Sequence, residues 1–337
     1  MQEARPIKLF SQDSFTPILP FDESNPLDPE VQSDHVEVGL KVNGHVINAW
    51  NISNPKFHSF FGIGEKPPFR QTHLYVSNPF EKGVLEEALR RKIKSQIKVI
   101  AKRFVEGKVN IQIIVEGYSL FYSDLIKKVE KLGLNTFFLV SHLNNRPTNW
   151  NERWNVTALM INTEKFTIHE SQTFFSQYYD REDFDKGKNF VLPYAIIEDK
   201  ETREKMIIAG AHISGCPSQF PKTALELLAQ TIGLIFQKTQ GEIDIIIAGD
   251  FNTTPEYLEK GLFPFLPPSA SLIKAPYPTH VNPKSHAANY DQAVVILGSK
   301  ETKGIYKKLK EKHLSAASQA LIGSIQKSRI KFLSSQD

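Results

Sequence analysis

Asp244-Ile245-Ile246-Ile247-Ala248-Gly249-Asp250-Phe251-Asn252-Thr253-Thr254-Pro255 is the most informative stretch of this chain. Its β-branched run predicts a buried strand, which stops at a glycine followed by a carboxylate and an amide. The Asp-x-Asn spacing predicts residues 250 and 252 on the same side of an extended chain, at the strand's C-terminal end. Ligand sites in α/β sheets gather at such ends. Asp250 can accept a proton from a nucleophile, and the Asn252 amide can donate hydrogen bonds to a phosphate oxygen. The plainer alternative is an Asx-type turn after an ordinary strand. Partners elsewhere in the chain have to decide between the two.

The chain around this stretch is long enough for one large α/β domain with a full core: 337 residues, 40% hydrophobic and 11% aromatic. A formal charge of +4 permits a phosphate-bearing partner without demanding one. The single cysteine, Cys216, excludes an internal disulfide and a cysteine-based zinc site, and fits a reducing compartment. Met1 to Phe15 is polar and lacks a signal-peptide core, and no apolar run is long enough to span a bilayer. The expectation is therefore a cytoplasmic monomer without a transmembrane segment, although a specialised export route would leave no mark.

Elsewhere the chain alternates strand and helix patterns without a composition break, which predicts one domain. Residues 1–32, rich in Pro, Asp and Ser, read as an irregular arm. Asn43-Gly44 joins two β-patterned runs and predicts a hairpin over 35–51, because a type I′ turn needs positive φ at both positions. Its open end would carry Asp34, His35 and Asn51. Apolar spacing predicts a helix over 84–105 with a basic outer face (Arg90, Arg91, Lys94, Lys98, Lys102, Arg103), more plausibly a solvated face than a nucleic-acid contact. A strand at 109–115 ends at Glu116-Gly117, and a helix at 119–132 follows it. Strands are predicted at 136–141 and 154–162, with the polar loop Asn144 to Arg153 between them, and at 190–198 and 206–213, the last ending in Ala211-His212. A helix opened by Pro221 leads into the strand before Asp250. Pro264 to Pro278 reads as a loop, Tyr290 to Leu297 as a strand with Asp291 at its start, and Lys303 to Lys331 as a Lys-rich amphipathic helix, packed on the 33–300 domain or extending from it.

Asn51, Glu116, His212, Asp250, Asn252, Asp291 and Asp34-His35 all fall at predicted strand ends. In type and order this set resembles the endonuclease/exonuclease/phosphatase family, the DNase I-like phosphodiesterases. Gly249-Asp250-Phe251-Asn252 is its most specific motif. Asn51 resembles the family's first motif, and Glu116 stands where its metal-binding glutamate does, although Val115 replaces the usual glutamine. Ala211-His212 is similar to the catalytic-histidine strand of the DNase I-type branch, and Asp291 to the late aspartate that partners a histidine. The family normally closes with a Ser-Asp-His strand near the C-terminus. Nothing after Asp291 supplies one, whereas Ser33-Asp34-His35 stands near the front. The resemblance thus implies a circularly permuted member, with the Asn43-Gly44 hairpin as the join. A coincidental tripeptide in an inactive protein is the competing reading.

The fold implied is the DNase I-like four-layer α/β sandwich, two mixed sheets face to face with helices outside and the last family strand moved to the front. The resemblance implies Mg²⁺, with Mn²⁺ an alternative, on Glu116 with Asn51 and Asp34. It implies His35, oriented by Asp291, as the histidine acting on attacking water or stabilising the phosphorane, with Asp250 sharing the base role. Asn252 would bind the scissile phosphate, and His212 would protonate the leaving group or bind phosphate. The implied reaction is phosphodiester hydrolysis by metal-assisted water attack. Family members cut DNA, RNA, poly(A) tails, phosphoinositides and sphingomyelin, and a fold does not choose among them. The motif Gly249 to Pro255 looks most like those of nucleases and deadenylases, so a nucleic-acid substrate is expected first. A lipid or small phosphate ester comes second, and a catalytically inactive binding module third.

Overall fold

The computed structural model describes residues 15–18, 35, 37–52, 79–117, 119–141, 156–178, 188–213, 222–275, 279–281 and 287–298. In chain order they form β1 (Phe15–Ile18), β2 (Val38–Val42), β3 (His45–Asn51), α1 (Pro79–Val105), β4 (Ile111–Gly117), α2 (Ser119–Lys131), β5 (Thr136–Val140) and β6 (Val156–Asn162). There follow β7 (Phe166–Tyr178), β8 (Lys188–Asp199), β9 (Lys205–His212), α3 (Lys222–Thr239), β10 (Asp244–Asp250), α4 (Pro255–Gly261), β11 (Ala270–Ile273), β12 (His280–Val281), β13 (Ala287–Ala288) and β14 (Asp291–Ile296).

Twelve of these strands form two six-stranded sheets, ordered β1-β2-β3-β4-β6-β5 and β11-β14-β10-β9-β8-β7. Each sheet holds one parallel pair bridged by a helix: β3–α1–β4 in the first and β9–α3–β10 in the second. Parallel neighbours need such a crossover, and it leaves the C-terminal ends of both strands on one edge. All other pairings are antiparallel, so both sheets are mixed.

Alternation along the strands then makes the layers. Ile47, Ala49, Ile111, Ile113 and Leu159 of the first sheet pack against Ile208, Ile246, Ala248, Ala293 and Val295 of the second, forming the central core. The opposite face of the first sheet, with Trp50, Ile114 and Met160, is covered by Ile100 and Phe104 of α1 and by Phe121 and Leu125 of α2. Leu225, Leu228 and Ile232 of α3 and Leu258 of α4 cover Ile207, Ile245 and Ile247 of the second sheet. The result is the four-layer α/β sandwich. No described helix is long and apolar enough to cross a membrane.

The Asn43-Gly44 turn is present, with φ of 48° and 84°, and it pairs Val42 with His45. Two expectations are corrected. Residues 15–18, inside the supposed irregular arm, add an edge strand to β2; Pro17 is tolerated there because an edge strand need not donate on both sides. The proline-rich stretch 264–278 contains β11, which pairs with β14, and overlaps a 3₁₀ turn at Phe263–Phe265. β7 has no counterpart in the hydrophobic pattern. Its polar residues alternate loosely because it is an edge strand, paired only with β8 in its sheet. The expected C-terminal helix and the loop Asn144 to Arg153 lie outside the described residues.

Candidate active site

Register alone assembles half of the site. Asp250 at the end of β10 is paired with His212 at the end of β9 and with Asp291 at the start of β14, so the three share one rung of the second sheet. Ile246 and Ala248 on β10, Ile208 on β9, and Ala293 and Val295 on β14 all face the central core. A two-residue period carried on from them points Asp250, His212 and Asp291 the same way, into the end of the gap between the sheets. Asn51 ends β3 on the facing sheet, in phase with the core residues Ile47 and Ala49. Its Nδ2 donates to Asp250 Oδ2 at 2.9 Å, joining the two sheets across the site.

Glu116 breaks that pattern. Ile111, Ile113 and Val115 face the central core and Ile114 faces the helices, so simple alternation would send Glu116 to the helix side. A bulge between Ile114 and Gly117, with Glu116 at φ 58°, turns the side chain back. Bulges re-aim side chains in this way. Glu116 Oε1 lies 3.4 Å from His212 Nε2. Behind the bulge sits Tyr122, fully buried, whose hydroxyl donates to Ile114 O at 3.4 Å.

Asn252 corrects the extended-chain expectation. It has φ 48°, its backbone N–H donates to Asp250 Oδ1 at 2.8 Å, and its Nδ2 donates to Asp250 Oδ2 at 3.0 Å. The Asp-x-Asn spacing therefore works through an Asx turn, and the turn reading and the site reading are one arrangement. Gly249, at φ 143°, makes room for it. A Cβ there would stand 2.2 Å from Ala211 O.

His35 completes the group. It lies just ahead of β2, buried, with Nδ1 2.7 Å from Asp291 Oδ2 and Nε2 3.7 Å from Asp250 Oδ2. Asp291 is held in turn by Thr279, whose Oγ1 accepts the backbone N–H groups of Tyr290 and Asp291 at 2.9 Å each. Thr279 and Tyr122 are the supporting residues with no signal in the sequence; both act through the backbone, which no motif encodes. Asp34 lies outside the described residues.

The electrostatics follow from crowding three carboxylates and two imidazoles into a nearly dry space. Burial raises the Asp250 carboxyl to about 6; the neighbouring His35 and His212 pull it down, while Asp291 and Glu116 push it up. For His212, burial opposes the charged form, but the contact with Glu116 and the charge of Asp250 outweigh it, and its pKa is raised. Burial thus favours the protonated form of Asp250, and the contact with Glu116 favours that of His212.

Two mixed six-stranded sheets packed face to face, with helices outside, define the architecture. The fold is DNase I-like. No family model matches the sequence, and no curated protein matches it. Solved structures similar to it include a mannosyl-6-phosphatase of Bacteroides thetaiotaomicron VPI-5482, at 12% identity over 60% of this chain and 77% of that one, TM-score 0.46. Another is an endonuclease/exonuclease/phosphatase family protein of B. thetaiotaomicron, at 15% identity over 60% and 74%, TM-score 0.44. A third is the human Nocturnin catalytic domain with a bound sulfate anion, at 18% identity over 58% and 72%, TM-score 0.42. Such likeness is one of shape, and the chemistry has to come from the site itself.

A divalent cation fits the donor set. Asp291 and Glu116 both act to raise Asp250, and the oxygen atoms of Glu116 and Asn51 suit a hard ion. Among the described residues, the side chains whose ligand atoms all lie within 4.8 Å are instead His35, Asp250 and Asp291. Those atoms are already engaged with one another through the His35–Asp291 contact.

Proposed function

We propose that this protein is a Mg²⁺-dependent phosphoesterase that hydrolyses phosphodiester bonds, with RNA or DNA as the expected substrate. The observation that carries the reading is the His35–Asp291 contact at 2.7 Å, with His35 Nε2 turned towards Asp250. It places a histidine–aspartate pair beside a second carboxylate that itself holds two asparagines.

Glu116 and Asn51 would hold the metal, with Asp34 as a further candidate, and Mn²⁺ could take the same oxygen donors. Bound there, the ion supplies positive charge to the phosphoryl oxygens and to the leaving oxygen. Asp250 and His35 orient a water molecule, and the proton released as its oxygen bonds to phosphorus passes to this pair. A carboxyl near 6 suits that role. Asp291 keeps the His35 ring in one orientation through Nδ1, leaving Nε2 for the reaction. The Asn252 amide binds a phosphate oxygen. His212, held cationic by Glu116 and Asp250, gives its proton to the departing oxygen as the P–O bond breaks. No covalent intermediate on a cysteine or serine is required.

The same geometry supports the circular permutation, since His35 precedes the strands it serves yet meets Asp291 from β14. The motif Gly249 to Pro255 and the mildly basic charge favour nucleic acid over a lipid headgroup. The test compares wild type with His35→Ala and Asn252→Ala on labelled single-stranded RNA and DNA, with Mg²⁺ and with EDTA. Metal-dependent cleavage that weakens steeply with salt, and falls by about 10² or more in both variants, is expected. A fully active His35→Ala beside a dead Asn252→Ala would sink the permutation. A wild type inert on both polymers would overturn the nuclease reading and leave phosphoinositides and small phosphate esters as substrates.

A further inference from the structure

On the helix side of the first sheet, two residues from His35, lies an ion pair that the chemistry above does not use. Glu37 and Arg103 are both buried, at 0% and 1% exposure, and they meet in a two-pronged contact. Arg103 Nη1 donates to Glu37 Oε2 at 2.5 Å and Nη2 to Oε1 at 3.1 Å. Asn48 Nδ2 donates to Glu37 Oε2 at 2.8 Å and to Gln112 Oε1 at 3.0 Å. The guanidinium also stands 5.8 Å from the centre of the Trp50 ring. Around this network the layer is apolar: Trp50, Ile100, Phe104 and Ile114.

Stability alone explains such a pair poorly. Removing both charges from water costs about as much as their attraction returns, and apolar residues of the same size often serve as well or better. What an arginine–carboxylate fork provides is geometry. Its location shows what that geometry is for. The β2–β3 ladder starts at Val38, paired with Ala49, so Glu37 is the first residue beyond it. His35 and Glu37 have opposite destinations: His35 reaches Asp250 and Asp291 on the other sheet, while Glu37 reaches Arg103 on α1. A chain two residues long spans at most about 7 Å, so fixing Glu37 restricts where the His35 backbone can be.

We propose that Glu37 and Arg103, supported by Asn48 and Gln112, are positioning residues that clamp the chain just beyond the ladder and so aim the His35 imidazole at Asp250 and Asp291. The clamp explains how a histidine on an N-terminal approach segment, outside the regular ladder, holds a fixed place in a site built from strand ends. The catalytic consequence rests on the reading of His35 given above; the aiming of the ring does not.

The test replaces the pair by apolar side chains of similar size, Glu37→Leu with Arg103→Met, in the full-length protein. Thermal unfolding reports the fold, and ¹H–¹³C and ¹H–¹⁵N spectra of labelled histidine, assigned with His35→Ala, report the His35 ring. The double variant is expected to melt within a few degrees of wild type. It should nevertheless lose the slowly exchanging Nδ1–H signal that a ring fixed on Asp291 gives. With Mg²⁺ and single-stranded polynucleotide, kcat should fall by about one to two orders of magnitude with KM little changed, the signature of misplacing a reacting group. Arg103→Lys keeps the charge and loses the fork, and should show the same changes in smaller measure; it also serves if the double variant does not fold. A folded variant of either kind with the wild-type His35 signal would overturn the clamp. If the signal changes but the wild type cleaves no polynucleotide, the positioning stands and the nuclease reading fails.

Discussion

Gly249 and Asp250 show how much of the site depends on single atoms. At φ 143° Gly249 occupies a region that side chains disfavour, and a Cβ would collide with Ala211 O at 2.2 Å. Gly249→Ala is therefore expected to cost on the order of 1–3 kcal/mol in stability, read by denaturant unfolding, and to abolish hydrolysis by displacing Asp250 from the rung it shares with His212 and Asp291. An active variant of wild-type stability would refute this. Asp250 carries the pH prediction. Its carboxyl is near 6 in the folded chain, chiefly through burial, against about 4 when unfolded. Between those values the folded state binds more protons than the unfolded one, so stability in EDTA should fall as pH rises through the window and level off above it. In Asp250→Asn that slope should flatten. Because ionised Asp250 adds to the negative charge of the site, Mg²⁺ should raise the melting temperature more at neutral than at acid pH. A shift of the same size at both would show that the ion binds elsewhere.

Among the elements, the bulge in β4 and the hairpin β2–β3 mark the boundary between what local sequence encodes and what it does not. Asn43-Gly44 is legible because the turn's positive φ values are a demand on those two residues alone. The strand ends at Asn51, His212 and Asp250 are legible because an apolar run halts at a polar residue. Glu116 is legible only through the family resemblance, since alternation from Ile113 and Val115 directs it to the helices and only the cross-strand register change redirects it. β7 is not legible, because its faces are too evenly mixed to show a period. Thr279 escapes for another reason: its partner is the backbone of residues 290 and 291, which carries no sequence signature. The bulge itself can be tested. A Cβ at Gly117 would meet the buried Tyr122 hydroxyl at 2.2 Å. Gly117→Ala should weaken Mg²⁺ affinity by about tenfold or more, followed by calorimetric titration, through movement of Glu116. Unchanged affinity would mean that Glu116 is not a ligand.

At the scale of the whole molecule, the two crossovers β3–α1–β4 and β9–α3–β10 turn the C-terminal ends of four strands towards one end of the sandwich. Asn51, Glu116, His212 and Asp250 stand at or next to those ends. None of the four depends on how His35 is tethered; the histidine needs only the ladder with β3 and its own contacts. A catalytic group carried just ahead of a strand can come from either end of a chain, because side-chain positions, not covalent order, define the site. That independence yields the last prediction. A chain opened between Asn43 and Gly44, beginning at Gly44 and ending at Asn43 with residues 337 and 1 joined, places Ser33-Asp34-His35 after Asp291, in the family's usual order. Opening a two-residue turn and joining the ends through a long connection adds loop-closure entropy that grows only slowly with length, about 0.6 kcal/mol per doubling. The rearranged protein should therefore fold and keep Mg²⁺-dependent cleavage within a few-fold of wild type, whereas a chain lacking residues 1–36 should fold less stably and cleave nothing. A rearranged protein that folds with wild-type stability but loses activity would show that the covalent turn itself holds His35 in place, and the permutation argument would fail with it.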